Sequence, residues 1–211
     1  MSVREPKITF SESNHQYTID GRRVPHVTAV LNDLIPCFRA GDWYLERGRA
    51  VHACAAMIAE GKAFSNDPQI DGQVSACRRW FSDFKPTVIG VEIVVASRRY
   101  QYAGTADMCC SITGSTKLIV VDWKASITKS LPYQLAAYSL AFREMGHVSV
   151  HHGVGVQLSD DGSYKMTDIY DLRKYEQKWL GLLTAYHVRI ECDYRPNNTL
   201  HVQPGREAGG L

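Results

Sequence analysis

A mixed α/β domain is the fold this sequence predicts: a central mixed β-sheet flanked by helices, with an N-terminal β-hairpin and helix extension. Three observations carry that reading. Hydrophobic spacing switches from helical to strand period near Val88, and the three β-rich runs that follow are succeeded by a helix and another strand. The chain, at 211 residues with 45% hydrophobic and 22% charged residues, is long enough to bury a full core without disulfide or metal, so a single domain over residues 1–195 is expected.

Taken in order, Lys7-Ile-Thr-Phe and Gln16-Tyr-Thr-Ile-Asp-Gly read as two short strands, with a turn at Asp20-Gly21, and Pro25 closes the strand region. Val27 to Ile35 has apolar residues at helical spacing and stops before Pro36. Trp43 to Glu60 is a longer helix, started by Asp42 and ended by Gly61, and a third helix covers Gly72 to Phe84. The meander comprises Val88 to Ser97, Tyr102 to Ile112 and Lys117 to Trp123, with turns at Arg98-Arg99 and Thr113-Gly114-Ser115. A helix from Pro132 to Met145, capped by Ser130 and stopped by Gly146, leads to a strand near Val150 to Leu158. A strand from Tyr164 to Tyr170, paired through the Asp160-Asp161-Gly162 turn, and a helix from Leu172 to Glu191 complete the domain. The tail after Pro196 is polar and rich in Gly and Pro, and is expected to be disordered.

Composition excludes several classes. No segment approaches the roughly 18 apolar residues of a membrane span, and Met1 to Phe10 lacks a secretory signal's apolar run, so a cytosolic protein with no membrane partner is expected. The six cysteines show no C-x-x-C spacing; they read as reduced, mostly buried thiols rather than zinc ligands. A formal charge of +2 is too small to name a partner.

Chemistry concentrates in two strands. Leu118-Ile-Val-Val-Asp122-Trp-Lys124 is an apolar strand ending in a carboxylate and an amine two residues apart, hence on one face. By itself D-x-K is more often the pattern of a simple strand-end ion pair than of a site. Gly104-Thr-Ala-Asp107 sets a second carboxylate in an otherwise apolar strand, where it is either a turn residue or part of a site. If the two strands form a hairpin about Thr113 to Ser115, Asp107 and Asp122 fall close together, and two close like charges with oxygen donors suit Mg²⁺ or Mn²⁺.

Gly48-Arg-Ala-Val-His52, Val91-Glu92, Gly104-Thr-Ala-Asp107, Asp122-Trp-Lys124 and Gln134-Leu-Ala-Ala-Tyr138 resemble, in order and spacing, the RecB-like nucleases of the PD-(D/E)XK superfamily. Phe10 to Leu31 is similar to the start of phage-type exonucleases in that group. The resemblance implies a PD-(D/E)XK core, with residues 1–41 as an N-terminal extension and 42–158 as the catalytic core. It implies that Asp107, Asp122, the Trp123 carbonyl and His52 are metal ligands, that Lys124 orients or activates water, and that Glu92, Gln134 and Tyr138 border the metals.

Each residue also has a plainer reading. His52 is a helix histidine of the kind usually satisfied locally, Gln134 and Tyr138 at i and i+4 make a packing pair, and Glu92 is a solvent-facing strand residue. Arg49 shares the His52 face and would hold a phosphate of DNA; Arg47 is less well placed, and both fit a solvated helix surface. Arg22-Arg23, Arg78-Arg79 and Arg98-Arg99 either line a DNA groove or are surface charge.

Only Cys192 follows the Gln134 to Tyr138 helix, so no iron-sulfur cluster is expected. The function implied is an Mg²⁺- or Mn²⁺-dependent deoxyribonuclease with one or two ions, an exonuclease leaving 5′ phosphates in phage-type recombination, with a single-strand annealing or recombination protein as a possible partner. The rivals are a site-specific or structure-specific endonuclease and an inactive DNA-binding module. Oligomeric state stays open.

Overall fold

A computed structural model of the chain describes residues 7–36, 41–115, 117–146 and 150–192. The tail after Pro196 and Cys37 lie outside the described residues. Strands β1 (Ile8–Ser11), β2 (Gln16–Ile19) and β3 (Arg22–Val24) form a small antiparallel sheet. Asp20 and Gly21 join β2 to β3, both with left-handed backbone (φ 50 and 81), as a two-residue hairpin turn requires. Only two strands are expected here from the sequence; β3 escapes the pattern because Arg22 and Arg23 face solvent and Val24 alone is buried.

Helices α1 (Val27–Leu34), α2 (Asp42–Ala59) and α3 (Asp71–Phe84) follow, the last entered through a 3-10 turn at Pro68–Ile70. Next come β4 (Thr87–Ser97), β5 (Tyr102–Ser111), β6 (Leu118–Lys124), α4 (Leu131–Glu144), β7 (His152–Leu158), β8 (Tyr164–Met166), β9 (Tyr170–Asp171) and α5 (Arg173–Glu191). Two helix starts differ from expectation. Gly41, not Asp42, is the capping position of α2, and Asp42 lies in the first turn, where its charge meets the positive end of the helix dipole. Ser130 precedes α4 without a side-chain cap bond, because its hydroxyl pairs with Thr128 Oγ1 at 2.9 Å.

The main sheet runs β4-β5-β6-β7-β8, with β9 also on β7. Every pair is antiparallel except β6 with β7, and a parallel pair needs a crossover, which α4 supplies. The single strand expected over Tyr164 to Tyr170 is two: Thr167 both donates to the Gly155 carbonyl and accepts from the Gly155 amide through its hydroxyl, which breaks the ladder between β8 and β9.

Alternation along β6 fills a core on each face of the sheet. Val120 packs with Leu135 and Phe142 of α4, Val30 of α1 and Trp179 of α5, while Ile119, Val121 and Trp123 pack with Val51 of α2 and Val74 and Trp80 of α3. A third cluster, with Tyr17, Ile19 and Val24, seats the small sheet on Ala96 and Ala103. Cys54, Cys77, Cys109 and Cys110 are buried free thiols and Cys192 is exposed. Among the described residues, no helix is long and apolar enough to cross a membrane.

His26 caps α1, its Nδ1 accepting from the Ala29 amide at 3.2 Å. Burial, then the charges of His15 and Arg23, hold its pKa down at about 4, and a protonated Nδ1 has no lone pair left to accept with. The folded-state pKa lies below the unfolded value near 6.5, so this cap contributes fully above about pH 6.5 and is lost as pH falls towards 4. His26→Asn, which caps without titrating, is expected to flatten the fall in Tm between pH 6.5 and 4; parallel Tm profiles for the two proteins would refute this role.

Candidate functional site

The β5–β6 register, ending at Met108↔Val121, sets Asp107 and Asp122 opposite each other at the next step. Both carboxylates are buried, Asp122 completely. Lys124, two residues on and on the same face, places Nζ 2.5 Å from Asp122 Oδ2. Asp122 Oδ1 accepts from Gln134 Nε2 at 2.8 Å, and the same amide donates to the Tyr138 hydroxyl at 3.1 Å. The crossover helix α4 therefore braces the carboxylate strand from behind. Gly104 makes room for it: a Cβ there would stand 2.8 Å from Tyr138 Cε1, so the close approach this glycine permits is of a ring.

From the other side, α2 brings His52, with Nε2 3.0 Å from the Trp123 carbonyl, to which it donates, and Nδ1 3.3 Å from Asp107 Oδ1. Asp107 Oδ2 accepts from the Trp123 amide at 2.8 Å. Glu92 faces this group from β4, between the pairs Val91↔Met108 and Ile93↔Ala106, with φ 47 in the middle of a strand. For a residue with a side chain that backbone costs about 1–3 kcal/mol, and such strain concentrates at functional sites.

Charge here is finely opposed. Burial alone would lower the His52 imidazole, but the Asp107 carboxylate against it raises the pKa to about 9. Burial works to raise Asp107 as well, yet His52 keeps that carboxyl below its ordinary value. At Asp122 burial prevails and lifts the pKa to about 6 in spite of Lys124. Lys124 itself is held above its usual value, since Asp122 and Asp107 outweigh its desolvation. Burial and then the charge of Asp107 push Glu92 upward.

His52, Glu92, Asp107 and Lys124 stand at the floor of a cleft of about 580 Å³ that Arg49, Gln134 and Tyr138 also line, with Asp122 fully buried beneath it. Arg49 faces His15 across it, close enough for its charge to add to burial in lowering the His15 pKa. Arg47 is drawn elsewhere: its guanidinium pairs with Asp160, donates to the Gln69 carbonyl at 3.2 Å and lies over the Trp43 ring. The arginine pairs do not line the cleft; Arg98 bonds Asp20 and Arg78 covers the Phe64 ring. Part of the wall is absent from the sequence reading: His15, Tyr17 and Thr28 of the N-terminal extension, and Thr105. Tyr17 anchors that extension through a 2.8 Å bond between its hydroxyl and Thr105 Oγ1. The signal available for it was the run of rings Phe10, His15, Tyr17 and His26, which pack together.

His52, Glu92 and Asp107 each offer a donor atom within 4.8 Å of the others, one nitrogen and two carboxylates, a set suited to a divalent cation such as Mn²⁺ or Mg²⁺. This trio differs from the expected ligand set. Glu92 joins it, whereas Asp122 is engaged by Lys124 and Gln134, and the Trp123 carbonyl by His52.

A mixed sheet carrying opposed carboxylates and a D-x-K strand end, with helices on both faces and a small sheet at its N-terminus, is the fold the sequence predicts. No family model and no curated protein matches the chain. Among solved structures, a provisionally named exonuclease from Eubacterium rectale aligns with 87% of this chain and 91% of its own at 12% identity and a TM-score of 0.52. The alkaline exonuclease LHK-Exo from Laribacter hongkongensis aligns with 80% of this chain and 88% of its own at 12% identity and a TM-score of 0.43. At 12% identity the likeness to the Eubacterium rectale protein is one of fold.

Proposed function

We propose that this chain is a divalent-metal-dependent deoxyribonuclease, acting as an exonuclease from DNA ends and leaving 5′ phosphates. The observation that carries the reading is the convergence of Asp107 and Lys124 with His52 and Glu92 at the floor of one cleft, with Asp122 buried against Lys124 beneath it. His52, Glu92 and Asp107 would hold Mg²⁺ or Mn²⁺, with Asp122 adjoining. When bound, such an ion polarises a phosphoryl oxygen and makes water a nucleophile near neutral pH.

The chain's own groups do the rest. Lys124 brings an ammonium to the place where negative charge grows on the phosphate, and Gln134 fixes the direction of the Asp122 carboxylate. Arg49 offers a guanidinium to a neighbouring phosphate. The exonuclease named among the structures of this fold is in keeping with end-directed cutting; a place in phage-type recombination, beside an annealing protein, rests on the resemblance of the sequence motifs.

Incubating linear and closed circular DNA with Mg²⁺, and with EDTA in parallel, tests the proposal. Linear DNA is expected to disappear in Mg²⁺ alone while circles survive. Cut circles would replace the exonuclease by an endonuclease, and intact DNA bound without cutting would make the chain a binding module.

A further inference from the structure

Gly48 sits in the second turn of α2, inside a helix, where glycine is disfavoured because it gains no side-chain contact and loses more backbone freedom than alanine. Packing does not explain it. A Cβ built at Gly48 meets no atom within 4 Å among the described residues, so the protein has room for alanine and gains nothing visible from its absence. What the position does have is two clefts. The cleft of about 580 Å³ over Asp107 is lined by Gly48, and so is a second of about 320 Å³, walled by Tyr44, Val51, Trp123 and Leu158; His52 and Lys124 also border both. Tyr44, 60% exposed, presents a ring at the mouth of the smaller cleft.

We propose that a single nucleic-acid strand crosses α2 over Gly48, its sugar-phosphate backbone lying on bare helix surface that any side chain would obstruct. The reacting phosphate then rests by Asp107 and Lys124 in the larger cleft, and the adjoining nucleoside enters the smaller one and stacks on Tyr44. The smaller cleft is at the low end of ligand-pocket volumes, a size for one nucleoside rather than a base pair, and stacking on an aromatic ring is how single strands are held without regard to sequence. The path rests on the nuclease reading above for the identity of the ligand. It adds that the strand is presented unpaired at the point where it passes the helix.

Gly48→Ala, Gly48→Gln and Tyr44→Ala test it. Alanine and glutamine are better helix formers than glycine, so both Gly48 variants are expected to raise Tm, by about 2–4 °C. Against that gain, Gly48→Gln is expected to weaken binding of a fluorescein-labelled single-stranded oligothymidylate in EDTA, and to lower kcat/KM on DNA, each by about 10-fold or more. Gly48→Ala should lie between it and the wild type, and Tyr44→Ala should weaken the same binding while Mn²⁺ affinity by calorimetry stays unchanged.

A fall in Tm for Gly48→Ala would mean that the glycine serves packing, and would overturn the path. So would Gly48→Gln binding and cutting like the wild type, or a wild type that binds the oligonucleotide no better than this variant. If the wild type binds strands as described but never cuts DNA in any metal, the nuclease reading fails while the path stands.

Discussion

Asp107→Asn is expected to cut linear DNA at least about 10³-fold more slowly than the wild type in Mg²⁺, with little change in Tm. The asparagine oxygen still accepts from the Trp123 amide, which holds the hairpin end together, so the fold keeps its bond. What disappears is the negative charge facing His52 and Glu92, and with it one of the three donors gathered within 4.8 Å. Losses of electrostatic stabilisation at a reacting centre reach 10²–10³-fold for a single neutral donor, and a charged ligand to a cation should exceed that. Mn²⁺ affinity, read by calorimetry, should fall in step with the rate. Near wild-type turnover would sink the assignment of Asp107 to the metal.

Lys124→Met is expected to lose about 10²–10³-fold in turnover while keeping Mn²⁺ and DNA binding, because methionine keeps an aliphatic stem of similar reach and removes only the ammonium. The two variants should separate cleanly: one fails through the ion, the other with the ion in place. Nζ lies 2.5 Å from Asp122 Oδ2, so a structural role is the competing account. Disappearance of Mn²⁺ binding together with turnover would decide for that account, with Lys124 serving to keep Asp122 ionised.

Much of this site was legible because its logic is local. An apolar run that ends Asp122-Trp-Lys124 puts both charges on one face, and the Thr113 to Ser115 turn, by symmetry of the hairpin, carries Asp107 opposite Asp122. Gln134 and Tyr138, at i and i+4, were bound to share a helix face; the hydrogen bond that the Gln134 amide donates to Asp122 needed the crossover to be in place. Other features depend on tertiary context. Glu92 takes a left-handed backbone that no sequence pattern encodes, and Arg47 finds Asp160, 113 residues away, instead of the cleft. The Tyr17 bond to Thr105 spans 88 residues, so nothing local announces that the extension walls the cleft. Short polar strands such as Arg22–Val24 offer too few alternating positions to be seen.

The parallel pairing of β6 with β7 also sets a timetable for synthesis. When Asp122 leaves the ribosome, its bracing helix and its parallel neighbour have not yet emerged, and the 36 residues from there to Leu158 must follow first. At 5–20 residues per second that is an interval of about 2–7 s. Throughout it, β6 has an open edge, and Asp122 is an ordinary solvated carboxylate without its Gln134 partner. A nascent chain therefore holds its carboxylates, lysine and histidine well before it holds them in working register. The cleft can be completed only after α4 and β7, which close it around Asp122, have been made.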